Sequence, residues 1–169
     1  MTAIVTHVKS SRAEQLADRI EEGAAGLAEF AEGLSQTEWV TPVSKTDRRS
    51  IGVIVHHVAS MYPVEISLAR AIAGGNEVTD VTWEIVPDLN AQHARENADI
   101  TKDAAIELLR KNSREAADAV RVFTDDELDR AAPFSLSFGA PVTAQFVIED
   151  HALRHSWHHL AGIRKALGR

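Results

Sequence analysis

The stretch HALRHSWHHLAG, residues 151–162, places His151, His155, His158 and His159 within nine positions, half of the chain's eight histidines. Leu153, Trp157 and Leu160 interrupt the run, which sets it apart from the consecutive histidines of a purification tag. On a helix each residue advances about 100°, so positions 144, 148, 151, 155, 158, 159, 162 and 166 share about a third of the circumference. His155 lies at the centre of that face, with His151 and His159 about 40° to either side. Phe146, Leu153, Trp157 and Leu160 cover a second face, so the histidine face is expected to point into a core. Histidines at i and i+4 project over one helical turn and can share an ion, a spacing met by both 151/155 and 155/159. The chain contains no cysteine, so any metal must be held by His, Asp or Glu.

Two histidines alone make a weak site, and a third ligand is expected from another helix. His57 is the leading candidate: it falls on the stripe of Ile54, Val58 and Met61, whereas His56 is rotated away by about 100°. A lone histidine on an apolar face is more often a hydrogen-bonded core residue than a ligand. Several unpaired imidazoles buried together are costly, however, and a shared cation removes that cost. His93 and Glu65 are weaker candidates, for a catalytic base or a polar contact, against a plain reading as solvated surface residues. Tyr62 and Trp83 are candidates for the site entrance, against a plain reading as packing.

The elements that must carry these residues are helical. Ser11 and Glu14 have capping-box spacing, and Leu16, Ile20, Leu27, Phe30 and Leu34 then mark a helix over about 12–34. Residues 35–49 are polar, contain Pro42 and read as a connection. Ser50 caps a second helix that stops at Gly74-Gly75, with Pro63 expected to kink it or locally break its hydrogen bonding. A short helix is expected from about Asp88, and Thr101 caps a longer one ending near Phe123. Thr124 to Glu127 is another capping box, and Phe134, Leu136 and Phe138 alternate like a short extended piece. Thr143 caps the last helix, which runs to about Leu167. Four helices of about 22 to 26 residues, each roughly 35 Å long, predict an all-α four-helix bundle with a long connection between helices two and three.

The 169 residues and 44% hydrophobic content suit one domain spanning 1–169. No run approaches the roughly 18 to 20 apolar residues of a membrane span, and the opening MTAIVTHVKSSRAEQ carries no secretory pattern, so a soluble, cytoplasmic protein is expected. Eighteen basic against twenty-five acidic side chains give a formal charge of −7 without a basic block, which argues against nucleic acid as a partner.

IGVIVHHVAS at 51–60 and HSWHHLAGIRKAL at 155–167 resemble the DinB-like, or YfiT-like, four-helix bundles: a histidine-bearing second helix and a C-terminal HxxxH followed by a small, apolar and basic run. The resemblance implies an up-down-down-up bundle and a divalent metal, nickel or zinc, on three histidines with one or more positions left to water or substrate. Carried over residue by residue, the ligands are His57, His155 and His159. His57 lies seven residues into its helix, and in that topology its level matches 155 to 159 better than 151 to 155. His151 is then an alternate ligand or a pocket residue behind the site, and His158 a rim or packing residue. The chain departs from the common pattern at Gly162, where many members have glutamine. The resemblance further implies a low-molecular-weight thiol, of the bacillithiol or mycothiol type, as partner in S-transfer, since a metal with an open position lowers the pKa of a bound thiol or water. A hydrolase using metal-bound water is the alternative, and a non-catalytic bundle with a structural metal, which would need four protein ligands, is the third reading. A homodimer is also consistent with the resemblance.

Overall fold

The computed structural model describes residues 10–169, and the first nine, MTAIVTHVK, which were read above for a targeting signal, lie outside the described residues. Helix α1 spans Ser11–Glu32, and its cap is Ser10 rather than Ser11. The Ser10 side chain accepts from Ala13 N, which shifts the frame by one and leaves Glu14 outside any capping box. The polar connection that follows holds a short helix, α2 (Gln36–Trp39), closed by a capping box between Ser35 and Glu38. Trp39 is buried, donates from Nε1 to Ile100 O at 3.0 Å, and lies so close to Gly52 that a Cβ there would meet the indole at 2.5 Å. The connection is therefore fastened to the starts of two long helices.

Helix α3 (Ile51–Ala73) begins at the cap of Ser50 and runs unbroken through Pro63. Proline removes the N–H that would bond the carbonyl four residues back, Ala59 O. That carbonyl instead accepts from Nδ2 of Asn112, a buried side chain on the facing helix, at 2.9 Å. The local break in helical hydrogen bonding expected at Pro63 is therefore present, and a tertiary hydrogen bond satisfies the freed carbonyl so that the helix continues. Helix α3 is the one described helix long and apolar enough to cross a membrane, and 61% of its most apolar stretch is buried within the bundle, as a central core helix should be.

Helix α4 (Val86–Glu96) starts slightly before the expected Asp88, with Pro87 in its first turn, where a missing N–H costs nothing. Helix α5 (Lys102–Val120) is capped by Thr101 and stops three residues short of Phe123. Helix α6 (Asp125–Asp129) carries the Thr124–Glu127 capping box. The alternation of Phe134, Leu136 and Phe138 does not form a strand. The strands flank it as β1 (Ala131–Pro133) and β2 (Pro141–Thr143), antiparallel with Ala132 opposite Val142. Residues 135–137 form a 3₁₀ turn between them, with Phe138 left-handed at φ 57° and 90% exposed while Phe134 is fully buried. The last helix is capped by Thr143 and has three parts: α7 (Ala144–Val147), a π-helical segment Ile148–Leu153, and α8 (Arg154–Ala166).

The long helices form a square in which α1 packs on α5 and α8, and α3 packs on α5 and on the α7–α8 helix. Arg121 at the end of α5 reaches Glu14, Asp18 and Glu21 near the start of α1, and Lys102 at its start reaches Glu32 O and Leu34 O, so α1 and α5 are antiparallel. Trp39 joins the starts of α3 and α5, and Arg130 beyond α5 donates to Ala73 O at the end of α3, so that pair is parallel. Tyr62 meets Ser156 and Glu65 meets His155, so α8 runs against α3. Trp157 covers Gly23 and Leu160 faces Gly26, so α8 runs along α1. The bundle is up-down-down-up, as expected.

Candidate metal centre

His57 rises from the second turn of α3, in the buried stripe that also holds Ile54 and Val58. His155 and His159 lie one turn apart on α8, whose regular geometry keeps the i, i+4 relation. The antiparallel packing of α3 and α8 brings these three rings together: His57 is 5.0 Å from His155 and 5.6 Å from His159 between centroids, and His155 is 4.8 Å from His159. One nitrogen from each ring lies within 4.8 Å of the other two, the only such group of three potential ligands among the described residues. One ion with bonds of about 2.0 to 2.1 Å in a tetrahedral arrangement needs nitrogens about 3.4 Å apart, so small ring rotations would close the set.

The π segment decides the fate of His151. A π turn bonds i to i+5 and inserts a residue relative to the α-helical phase, so residues before 154 do not continue the face of α8. A uniform 100° step placed His151 beside His155. In the structure its ring instead stands edge-on to Phe134 at 5.5 Å, with Nε2 3.8 Å from Asp150, and it lies outside the three-histidine group. His158 is exposed and meets only the side of His159, at 5.2 Å.

Glu65 is not a solvated surface residue. It is 3% exposed, and its Oε1 accepts from His155 Nδ1 at 2.6 Å. A carboxylate only accepts, so Nδ1 carries the proton and Nε2 of His155 keeps its lone pair toward the other two rings. Tyr62, one turn earlier, is fully buried and bonded to Ser156 Oγ at 2.6 Å, which removes it from any entrance and makes it a strut between α3 and α8. Trp83 stays half exposed and donates to Leu136 O at 2.8 Å, holding the long connection to the 3₁₀ turn. A Cβ at Gly162 would meet nothing within 4 Å.

His93 comes from α4 and stands 5.4 Å from His57, edge to face. Its Nε2 is 2.9 Å from His56 Nδ1 and 3.4 Å from Ser60 Oγ, while its Nδ1 is buried without a partner. His56, rotated off the core stripe, thus holds His93 beside the cluster. Periodicity reads His56 as facing away, and nothing in the sequence pairs it with a residue 37 positions later. At the same end of the bundle Asp47 and Arg49 form a two-pronged ion pair, from the segment that reads as a plain connection.

Burial dominates the electrostatics. It pushes His57 down to about 2, with His155 and then His159 adding to the effect, and pushes His159 down to about 3, again with His155 next. Burial also lowers His56, His93 and His151. These five rings are neutral at ordinary pH, the form in which imidazole binds a metal.

The chain belongs to the DinB superfamily, whose profile matches residues 19–163. Among solved structures it superposes on YfiT from Bacillus subtilis, described as a probable metal-dependent hydrolase with an unusual four-helix bundle topology, with a TM-score of 0.74 at 16% identity, covering 99% of this chain and 93% of that one. It also superposes on a mycothiol-dependent maleylpyruvate isomerase, with a TM-score of 0.67 at 15% identity, covering 89% of this chain and 60% of that one, so it spans about three fifths of the isomerase. At these identities the similarity is one of fold. No curated protein matches the chain significantly.

Glu65 supplies a prediction. Ligand orientation by a carboxylate behind a histidine is worth about 10- to 100-fold in metal affinity. Glu65→Gln, which keeps the volume and a weaker acceptor, is expected to bind zinc about tenfold less tightly than wild type, measured by competition with a chromophoric chelator. Unchanged affinity would mean that the pair serves packing alone.

Proposed function

We propose that the chain holds a divalent ion, nickel or zinc, on His57, His155 and His159, and catalyses S-transfer from a low-molecular-weight thiol to an electrophilic small molecule. The observation that carries this reading is the set of three converging imidazole nitrogens, one of them backed by a buried carboxylate. Three protein ligands suit a catalytic rather than a closed structural site, since four is the usual complement of the latter. An ion there would lower the pKa of a thiol sharing its open position. His57, His155 and His159 orient the ion, and Glu65 fixes the His155 ring. His93 is the base: His56 engages its Nε2, and Nδ1 is left to take the thiol proton. Sulfur then forms the new bond to carbon as the leaving group departs with its electron pair.

A second reading, hydrolysis of a small molecule, uses the same residues with water in place of the thiol. It draws support from the fuller match to YfiT, along 93% of that chain. The two readings part on one assay. Metal-loaded protein with bacillithiol, mycothiol or glutathione and a bromobimane electrophile is expected to accelerate thiol loss, and a chelator is expected to abolish the effect. No acceleration with any of the three thiols, together with metal-dependent ester cleavage in their absence, would replace transfer by hydrolysis.

A further inference from the structure

Among the described residues three buried side-chain atoms have no hydrogen-bond partner: Glu65 Oε2, His93 Nδ1 and Arg49 Nη1. The first two belong to residues already placed at the site. Arg49 has no part in holding an ion, yet it stands at the same end of the bundle, immediately before the cap of α3. Its guanidinium is pinned. Nε donates to Asp47 Oδ1 at 3.0 Å and Nη2 to Asp47 Oδ2 at 2.7 Å, while Asp47 itself is turned back by its N–H to Ser44 Oγ at 2.8 Å. The backbone closes around the pair through Val43 N to Arg49 O at 3.0 Å and Ile51 N to Thr41 O at 2.9 Å. This fork uses one edge of the planar group and leaves Nη1 on the other.

A charged N–H group buried without an acceptor is costly, so a protein that holds one rigidly has provided for an acceptor. Arg49 directly precedes the cap of the helix that carries His57 in its second turn, roughly 9 to 12 Å of helix rise away, and its charge helps to hold His57, His93 and His159 below the ordinary histidine value. Asp47 neutralises the charge while leaving the two Nη1 hydrogens unused, a preorganised donor for an oxyanion.

We propose that Arg49 Nη1 anchors a carboxylate on the small molecule that reacts at the histidine cluster, making the chain selective for anionic substrates or thiols. The proposal rests on the reading of the cluster as a metal site that takes a small molecule.

Its test uses 3-mercaptopropionate, which carries a thiol and a carboxylate, against 2-mercaptoethanol, which carries the thiol alone. Zinc-loaded wild type and Arg49→Gln are titrated with each by calorimetry, with zinc content recorded. Wild type is expected to bind the acidic thiol about ten- to a hundredfold more tightly, the range of one charge-assisted hydrogen bond. Arg49→Gln is expected to bring the two within about twofold, with zinc content and 2-mercaptoethanol affinity unchanged. A preference that survives in Arg49→Gln overturns the proposal, as does its absence in wild type, where Nη1 would hold only water. If wild type retains no zinc, the metal reading fails separately. Metal-free protein is then titrated with propionate: binding by wild type but not by Arg49→Gln sustains the anchor, and equal behaviour of the two overturns it. Should Arg49→Gln lose its native circular dichroism, Arg49→Lys takes its place, since lysine keeps the charge but not the fork. Loss of most of the preference in that variant sustains the proposal, and full preference overturns it.

Discussion

Purified His57→Ala and His155→Ala should each carry less than about a tenth of the metal that wild type retains through gel filtration, measured by mass spectrometry of the eluted protein. Each substitution leaves two imidazoles. If three ligands share a binding free energy on the order of 10 kcal/mol, losing one removes roughly a third, or two to three orders of magnitude in affinity. The two variants test different helices. His57 reaches the cluster from α3 and His155 from α8, so parallel losses would show that one ion bridges the pair of helices. His151→Ala is the informative control. The π segment turns this ring toward Phe134, and its removal is expected to leave the metal content at the wild-type level. Stoichiometric metal in both His57→Ala and His155→Ala would remove the site, and with it both enzymatic readings.

How far the sequence announces this arrangement depends on whether the deciding interaction is local. Ser50, Thr101 and Thr143 cap their helices as their spacing predicts, because a cap bonds to a backbone N–H within the same turn. At the first helix two adjacent serines compete, and the spacing of Ser11 to Glu14 favours the wrong one. Ser10 takes the role while its hydroxyl also donates to Asp125, a partner far along the chain. The lost helical hydrogen bond at Pro63 is legible in the sequence, but its replacement is not, since Asn112 on another helix supplies the donor that keeps α3 continuous.

At the site, the HxxxH spacing and the stripe containing His57 point to His57 and His155, while the choice of His159 over His151 comes from the family resemblance and its topology. Glu65 left a usable signal: it falls seven residues after Val58 on the same stripe, and a carboxylate in a buried stripe needs a partner. The π segment left none, since IEDHAL has no residue that demands an i+5 bond. Arg49 and Asp47 also escape periodicity, because their geometry comes from a loop closed by backbone bonds between its two ends. What the helical pattern conveys is the ring of the cluster; what it omits is the polar residues that complete it from connections and from the second side of α3.

Acid should destabilise the metal-free protein well before its carboxylates titrate. His57 and His159 are held far below the ordinary histidine value of 6.5 in the folded chain, at about 2 and about 3, and regain that value on unfolding. Below pH 6.5 the unfolded state therefore binds more protons than the folded one, and stability falls with falling pH until the folded values are reached. Each group contributes up to about 1.4 kcal/mol per pH unit within that window, so between pH 7.5 and 5 the two together remove about 4 kcal/mol. Against a total stability on the order of 5 to 15 kcal/mol, that loss is large. His56, His93 and His151, all lowered by burial, act in the same direction. The depressed carboxyls of Asp47, Asp125 and Asp129 also lose their contribution on acidification, but only as pH falls through and below the ordinary carboxylate range, so the interval from pH 6.5 to 5 isolates the histidines. Urea denaturation of chelator-treated protein at pH 7.5 and pH 5 measures the effect as a fall in midpoint. His57→Gln is expected to reduce the pH dependence by about 2 kcal/mol over the same interval, because glutamine fills a similar space without a proton to gain. Equal midpoints at the two pH values would mean that water reaches these rings freely and that they are not the desolvated, neutral set that an ion could bind without first displacing protons.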